Sequence, residues 1–231
     1  MKICSCEFPD GLLYDLENFV WVKAEDEAQD ETGNGNKSNV IRLGITSILA
    51  SMAGTFIRVK LKDVGTDVIK DKSVGSVESN RYFNTVKSPI NGKILKINNK
   101  LMDKPKLANN SPYEDGWFLK MQTSESLNKI DSLKPIQDCR DQMSKMIEKL
   151  HVRCFSAFPD YEMLQIGIEC AATLSQLGEL VSTIDTGNVV HVVSDDTSAE
   201  FEMVRWSDET GHQLLETRRE GNLYHFIIKK S

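Results

Sequence analysis

The sequence predicts an α+β chain of two domains, a mainly β sandwich or barrel followed by a two-layer α/β sandwich. Three observations carry that prediction. Short β-branched and aromatic runs punctuated by Gly and Pro fill residues 1–123, apolar spacing becomes helical after Pro135, and strand and helix patterns alternate from Met163 to a closing hairpin. At 231 residues and 40% hydrophobic content, the chain is long enough for each domain to bury a core. The expected boundaries are 1–123 for the β domain, 124–160 for a helix and linker, and 161–231 for the α/β domain.

Phe19-Val20-Trp21-Val22-Lys23 reads as a strand, and the acidic, Gly/Asn-rich stretch 25–39 as a solvated surface loop. Val40 to Leu43 is the returning strand; Thr46 then caps a short helix, Ser47 to Ala53, closed by Gly54. Phe56, Ile57, Val59 and Leu61 make a further strand. Residues 72–92 form a protruding hairpin, with Val74 and Val77 on one arm and Val86, Ile90 and Ile94 resuming the pattern on the other. Its tip, Ser79-Asn80-Arg81-Tyr82-Phe83, is expected to present a side chain outward. Strands over Gly92–Ile97 and Trp117–Met121 complete the domain.

Ile136, Met143, Met146, Ile147 and Leu150 recur at helical spacing behind Pro135, so a helix there packs on the first domain, and Cys154 to Asp160 serves as linker. In the second domain the expected order is strand 163–168, helix 171–184, strand 188–193, helix 198–207, and strands 213–218 and 223–229.

A formal charge of −6 with no evident basic stripe argues against nucleic acid and anionic membranes as partners. No signal-peptide run or apolar span of about 20 residues is present, so a cytoplasmic location is expected. Five cysteines without C-x-x-C spacing suggest free thiols rather than a zinc site or a disulfide framework. His151, His191, His212 and His225 are scattered without metal-ligand spacing, and no paired acid-base constellation or nucleophile triad is visible, so a carrier or adaptor is expected, not an enzyme.

The hairpin carries Gly75, Val77, Glu78 and Ser79 in the frame G-x-V-E-S, followed by Pro89-x-x-Gly92. Further matches run in frame from Gly44-Ile45-Thr46 through Gly54 and Val64-Gly65-Thr66-Asp67 to Lys104-Pro105 and Ser111-Pro112-Tyr113-x-x-Gly116-Trp117. This resembles the glycine cleavage system H protein, whose hairpin lysine carries lipoic acid on a swinging arm. The resemblance implies the barrel-sandwich hybrid of lipoyl domains, with lipoyl-dependent or lipoate-handling enzymes as partners.

In the attachment position stands Arg81. Amide formation needs an amine that can shed its proton, and a guanidinium stays protonated, so lipoate is not expected here and no other cofactor is predicted. Lys72 and Lys87 lie on the flanks, and bringing Lys87 to the tip shifts the register by six residues. Arg81 then serves as a solvated turn residue or as a ligand for an anion or a partner's carboxylate.

The second domain resembles the TusA-like sulfur carriers through Gly167-x-x-Cys170, Asp195-Asp196 and Gly211-His212-x-Leu214. That resemblance implies a βαβαββ fold, sulfur-relay partners and a persulfide carried on Cys170. The family's two prolines after the cysteine are replaced in Cys170-Ala171-Ala172-Thr173. A thiol just ahead of a helix meets unpaired N–H groups that favour a thiolate, whereas Glu169 opposes ionisation. Cysteine is also a residue type at home in a buried core, so both readings stand.

Three functions follow from these readings: an adaptor coupling lipoyl and sulfur chemistry, a non-covalent scaffold with both sites degenerate, or a glycine cleavage H protein of glycine and one-carbon metabolism using another lysine.

Overall fold

Strand pairing assigns the first half of the chain to three antiparallel sheets. The computed structural model describes residues 1–25 and 39–231, so the acidic insert lies almost wholly outside the described residues. It divides into two units, Met1–Cys154 and Phe155–Ser231. The first contains β1 (Lys2–Ile3), β2 (Cys6–Glu7), β3 (Leu13–Asp15), β4 (Val20–Glu25), β5 (Asn39–Ile45), α1 (Ser47–Ala53), β6 (Phe56–Leu61), β7 (Asp67–Val68), β8 (Ser73–Ser79) and β9 (Phe83–Lys87). It continues with β10 (Gly92–Ile97), α2 (Lys100–Asp103), α3 (Leu107–Asn110), β11 (Leu119–Thr123), β12 (Leu133–Pro135) and α4 (Ile136–Lys149).

A seven-stranded sheet runs β12-β3-β4-β5-β11-β10-β7, a three-stranded sheet runs β6-β8-β9, and β1 pairs with β2. Ile41, Leu43 and Met121 from the large sheet and Val59, Val74, Val77 and Val86 from the small one share a single buried cluster. Inward and outward residues alternate along β8 from Gly75 to Ser79, past an irregularity between Ser73 and Gly75. Trp21 lies directly opposite Gly44, where a Cβ would stand 2.6 Å from the indole, so only glycine fits across from it. The indole Nε1 donates to the Pro112 carbonyl at 3.0 Å, tying the Ser-Pro-Tyr segment to β4.

Helix α1 differs from expectation at its start. Thr46 occupies the cap position but makes no capping bond, and its hydroxyl is buried without a partner. The Ser47 N–H donates instead to the Tyr113 hydroxyl at 3.1 Å. Burial pushes the Tyr113 phenol up to about 12, opposed by its bonds with Ser47.

Helix α4 buries Ile136, Cys139, Met143 and Ile147, one face at helical spacing, against Ile3, Cys6, Phe8, Tyr14 and Trp21. Here the expectation of free thiols is corrected. Cys6 and Cys154 form a disulfide with Cα atoms 4.9 Å apart, leaving Cys4 exposed and Cys139 and Cys170 buried as thiols. The two positions are 148 residues apart, and no local spacing announces such a pairing.

The second unit contains β13 (Tyr161–Gln165), α5 (Cys170–Thr183), β14 (Val189–Ser194), α6 (Ala199–Thr210), β15 (Gln213–Glu220) and β16 (Leu223–Lys229). Its sheet runs β13-β14-β16-β15, with β13 and β14 parallel and the other pairs antiparallel. Leu177 and Val181 of α5 and Met203 of α6 pack with Val190, Val192, Phe226 and Ile228 on one face. Helix α6 ends at Gly211, whose φ of 74° supplies the left-handed cap. Among the described residues, no helix is long and apolar enough to cross a membrane.

Candidate functional site

Hairpin β8–β9 closes over Asn80-Arg81-Tyr82, with the Ser79 N–H donating to the Tyr82 carbonyl at 2.8 Å. Ser79 follows the inward register of Val77, and its side chain is buried. The hydroxyl donates to the Ala53 carbonyl at 2.6 Å and accepts the Arg81 N–H at 3.3 Å. One serine thus pins the apex to the last turn of α1 and orders the backbone of the residue at the tip. Its outward neighbour Glu78 pairs with Arg58 at 3.3 Å across β6 and lies opposite Phe83 across β9.

Arg81 is exposed, as was expected of a tip residue. Its guanidinium folds back over Gly54, where an added Cβ would meet Nε at 3.1 Å and Nη2 at 3.3 Å. Gly54 has φ 78° and ψ −168°, a conformation open to glycine and to few other residues. The segment beneath is fixed by Asn109, which donates from Nδ2 to the Gly54 carbonyl at 2.9 Å and accepts the Phe56 N–H at 2.9 Å. Sequence reasoning did not connect Gly54 or Asn109 to the apex. Gly54 was in the matched frame and Asn109 was not, and the two come together under the apex only when α1 and α3 meet the hairpin.

No lysine lies among the apex residues 80–82. Lys87 pairs with Ser73 at the opposite end of the arm, about 20 Å away at the rise of a strand. The apex residues therefore offer no amine able to form a lipoyl amide, because the guanidinium of Arg81 stays protonated.

The hairpin sheet also corrects the reading of charge. Register places Arg58, Glu78 and Phe83 in one outward row and Lys60, Ser76 and Thr85 in the next, with Lys87 beyond them. Three cations and one carboxylate lie on this outward face, with Arg58 paired to Glu78. They come from three strands and alternate with inward residues, so no run of basic residues appears in the sequence.

Cys170 is the first residue of α5, yet it is 4% exposed and sits in the apolar cluster with Leu177, Val190 and Met203. Burial pushes its thiol up, aided by the carboxylates of Asp196 and Glu202, so the expected helix-start thiolate is not favoured. Glu169 precedes it as the cap residue of α5. The Cys170 N–H donates to Asp196 Oδ2 at 2.8 Å, and Asp196 also accepts the Ser198 N–H and hydroxyl, which together hold its carboxyl below the ordinary range.

Two histidines separated in sequence meet in this unit. His191 Nε2 and His225 Nδ1 lie 2.9 Å apart, with the Phe155 ring 4.5 Å from His191. His212 accepts the Ser231 N–H at 3.3 Å and lies beside Trp206, a packing role. Among the described residues, no group of three His, Cys, Asp or Glu side chains is placed to hold a metal ion.

Comparison with known proteins follows this geometry. The model of the glycine cleavage H-protein family matches residues 14–146, more than half of the chain. Glycine cleavage system H protein 2 of Aquifex aeolicus is 32% identical over 150 residues, covering 65% of this chain and 86% of that protein. A probable glycine cleavage system H protein 2 of Sulfurisphaera tokodaii is 35% identical over 152 residues, covering 65% and 93%. A solved H protein from Mycobacterium marinum aligns at a TM-score of 0.49 with 24% identity, covering 59% of this chain and 98% of that one. The match reaches from β3 into α4 and takes in the pinned hairpin apex: the chain belongs to the glycine cleavage H-protein family.

Proposed function

We propose that this protein is a non-enzymatic adaptor of the H-protein family, which presents its hairpin apex to lipoyl-dependent or lipoate-handling enzymes without carrying a lipoyl arm. The observation that carries the reading is Arg81, a permanent cation in the attachment position, folded on Gly54 and anchored through Ser79. Such a tip engages a carboxylate or another anion by charge-assisted hydrogen bonds, where a lysine amide would deliver a dithiolane. Incubation with lipoate ligase, ATP and lipoate, followed by intact mass, tests the covalent half. The wild type is expected to stay unmodified and Arg81→Lys to gain one lipoyl group. A lipoyl adduct on the wild type would reject this reading in favour of an H protein of glycine and one-carbon metabolism. Calorimetric binding to the same ligase tests the docking half, with loss of affinity expected in Arg81→Ala.

A second reading has the C-terminal unit as a TusA-like module that relays sulfur as a persulfide on Cys170. Its support is the place of Cys170 at the start of α5, beside the parallel pair β13 and β14. Against it stand the burial of the thiol and the neighbouring carboxylates. Loading with a cysteine desulfurase and cysteine decides: one added sulfur atom on the wild type, absent in Cys170→Ser, would favour the relay.

A further inference from the structure

Two exposed surfaces on this chain complement each other in charge and in apolar content. The first is the outer face of the hairpin sheet, with Lys60, Lys87 and the Arg58–Glu78 pair around Phe83, which is 69% exposed. The second is on α6. Glu200, Phe201, Val204 and Asp208 fall within about 100° of one another at 3.6 residues per turn, forming one exposed stripe bordered by Arg205, with the buried Ala199 and Met203 outside it. Phe201 is 71% exposed, which is unusual for an aromatic side chain on a helix that has a packed face of its own.

The charges of the two units differ in the same sense. Residues 155–231 carry five basic and thirteen acidic side chains, a net charge of −8, whereas residues 1–154 carry 23 basic and 21 acidic, a net charge of +2. The lengths also agree. The 12 residues of α6 extend about 18 Å, and strands of five to seven residues extend about 17–23 Å.

We propose that the basic hairpin face docks on the acidic, apolar stripe of α6 in a second copy of this chain. Phe83 packs beside Phe201 and Val204, and Lys60 and Lys87 face Glu200 and Asp208. Each contact joins two different patches, so a copy can engage a neighbour through either one. The contact relies on exposed opposite charges, so association is salt-sensitive. The contact needs no lipoyl partner and stands apart from the adaptor function, but it covers the apex while it lasts.

Sedimentation velocity of the full chain tests the proposal. In about 20 mM salt the weight-average sedimentation coefficient is expected to rise with concentration, and in about 500 mM salt to fall to the monomer value. A hairpin variant, Lys60→Gln with Phe83→Ala, and a helix variant, Glu200→Gln with Phe201→Ala, should each weaken association about tenfold or more. All four positions are exposed, and unchanged far-ultraviolet circular dichroism would exclude misfolding as the cause. Mixing the two variants leaves one intact contact per pair and should give a discrete 1:1 dimer. The proposal is overturned if the wild type stays monomeric at low salt, if the mixture forms no dimer, or if a single-stranded oligonucleotide occupies the hairpin face while the chain remains monomeric.

Discussion

Replacing Gly54 with alanine attacks the hairpin apex from the α1 side. The backbone there, φ 78° and ψ −168°, lies in a region that costs a residue with a Cβ about 1–3 kcal/mol. The new methyl would also stand 3.1 Å from Arg81 Nε, so the guanidinium must move, and loss of that packing adds on the order of 0.5–1 kcal/mol. The expected total is about 1.5–4 kcal/mol of destabilisation. Arg81→Ala removes only the second contribution, so a double-mutant cycle should return a coupling on the order of 0.5–1 kcal/mol. Urea unfolding followed by tryptophan fluorescence, fitted as separate transitions for the two units, supplies the four free energies. A neutral or stabilising Gly54→Ala, as at sites where glycine only adds freedom to the unfolded chain, would refute the strained geometry; zero coupling would refute the placement of Arg81.

Other outcomes test the remaining features. Denatured but unreduced protein should show three titratable thiols and reduced protein five, and Cys154→Ser should lose stability up to the about 5 kcal/mol that chain-entropy reasoning assigns to a 148-residue loop; five thiols without reductant would dismiss the bridge. Tyr113, raised to about 12, contributes stability that is complete below the ordinary tyrosine value near 10 and is lost as pH climbs through its folded value. Stability should therefore decline between about pH 10 and 12, and Tyr113→Phe should flatten that decline while costing about 1–2 kcal/mol for the lost bonds to Ser47. Iodoacetamide at pH 8 should alkylate exposed Cys4 well before buried Cys170, read by peptide mass spectrometry; the reverse order would revive a reactive helix-start thiol.

What could be read in the sequence was what local rules govern. The arms of the hairpin follow from Val74, Val77 and Val86 at strand spacing, and helix α4 from Ile136, Met143 and Ile147 behind a proline. The register around Glu78 and Ser79 placed Arg81 within the turn. What escaped depends on residues far apart in the chain. Gly54 meets Arg81 across 27 positions, Cys6 meets Cys154 across 148, and His191 meets His225 across 34. Cys170 shows a different difficulty: the field at a helix start is local, but the burial that opposes it is set by Met203 and the sheet. The basic hairpin face escaped because a chain average of −6 sums over surfaces that the fold keeps separate.

The bridge from Cys6 to Cys154 also has a mechanical consequence. Both sulfurs lie outside the family-matched stretch 14–146, and the second unit begins at the very next residue, Phe155. A pull on the C-terminus therefore crosses from Cys154 directly to Cys6, leaving α4 and the strands inside the closed loop free of tension. An unfolding motor threading from that end should strip residues 155–231 and halt at the loop for as long as the two sulfurs stay joined.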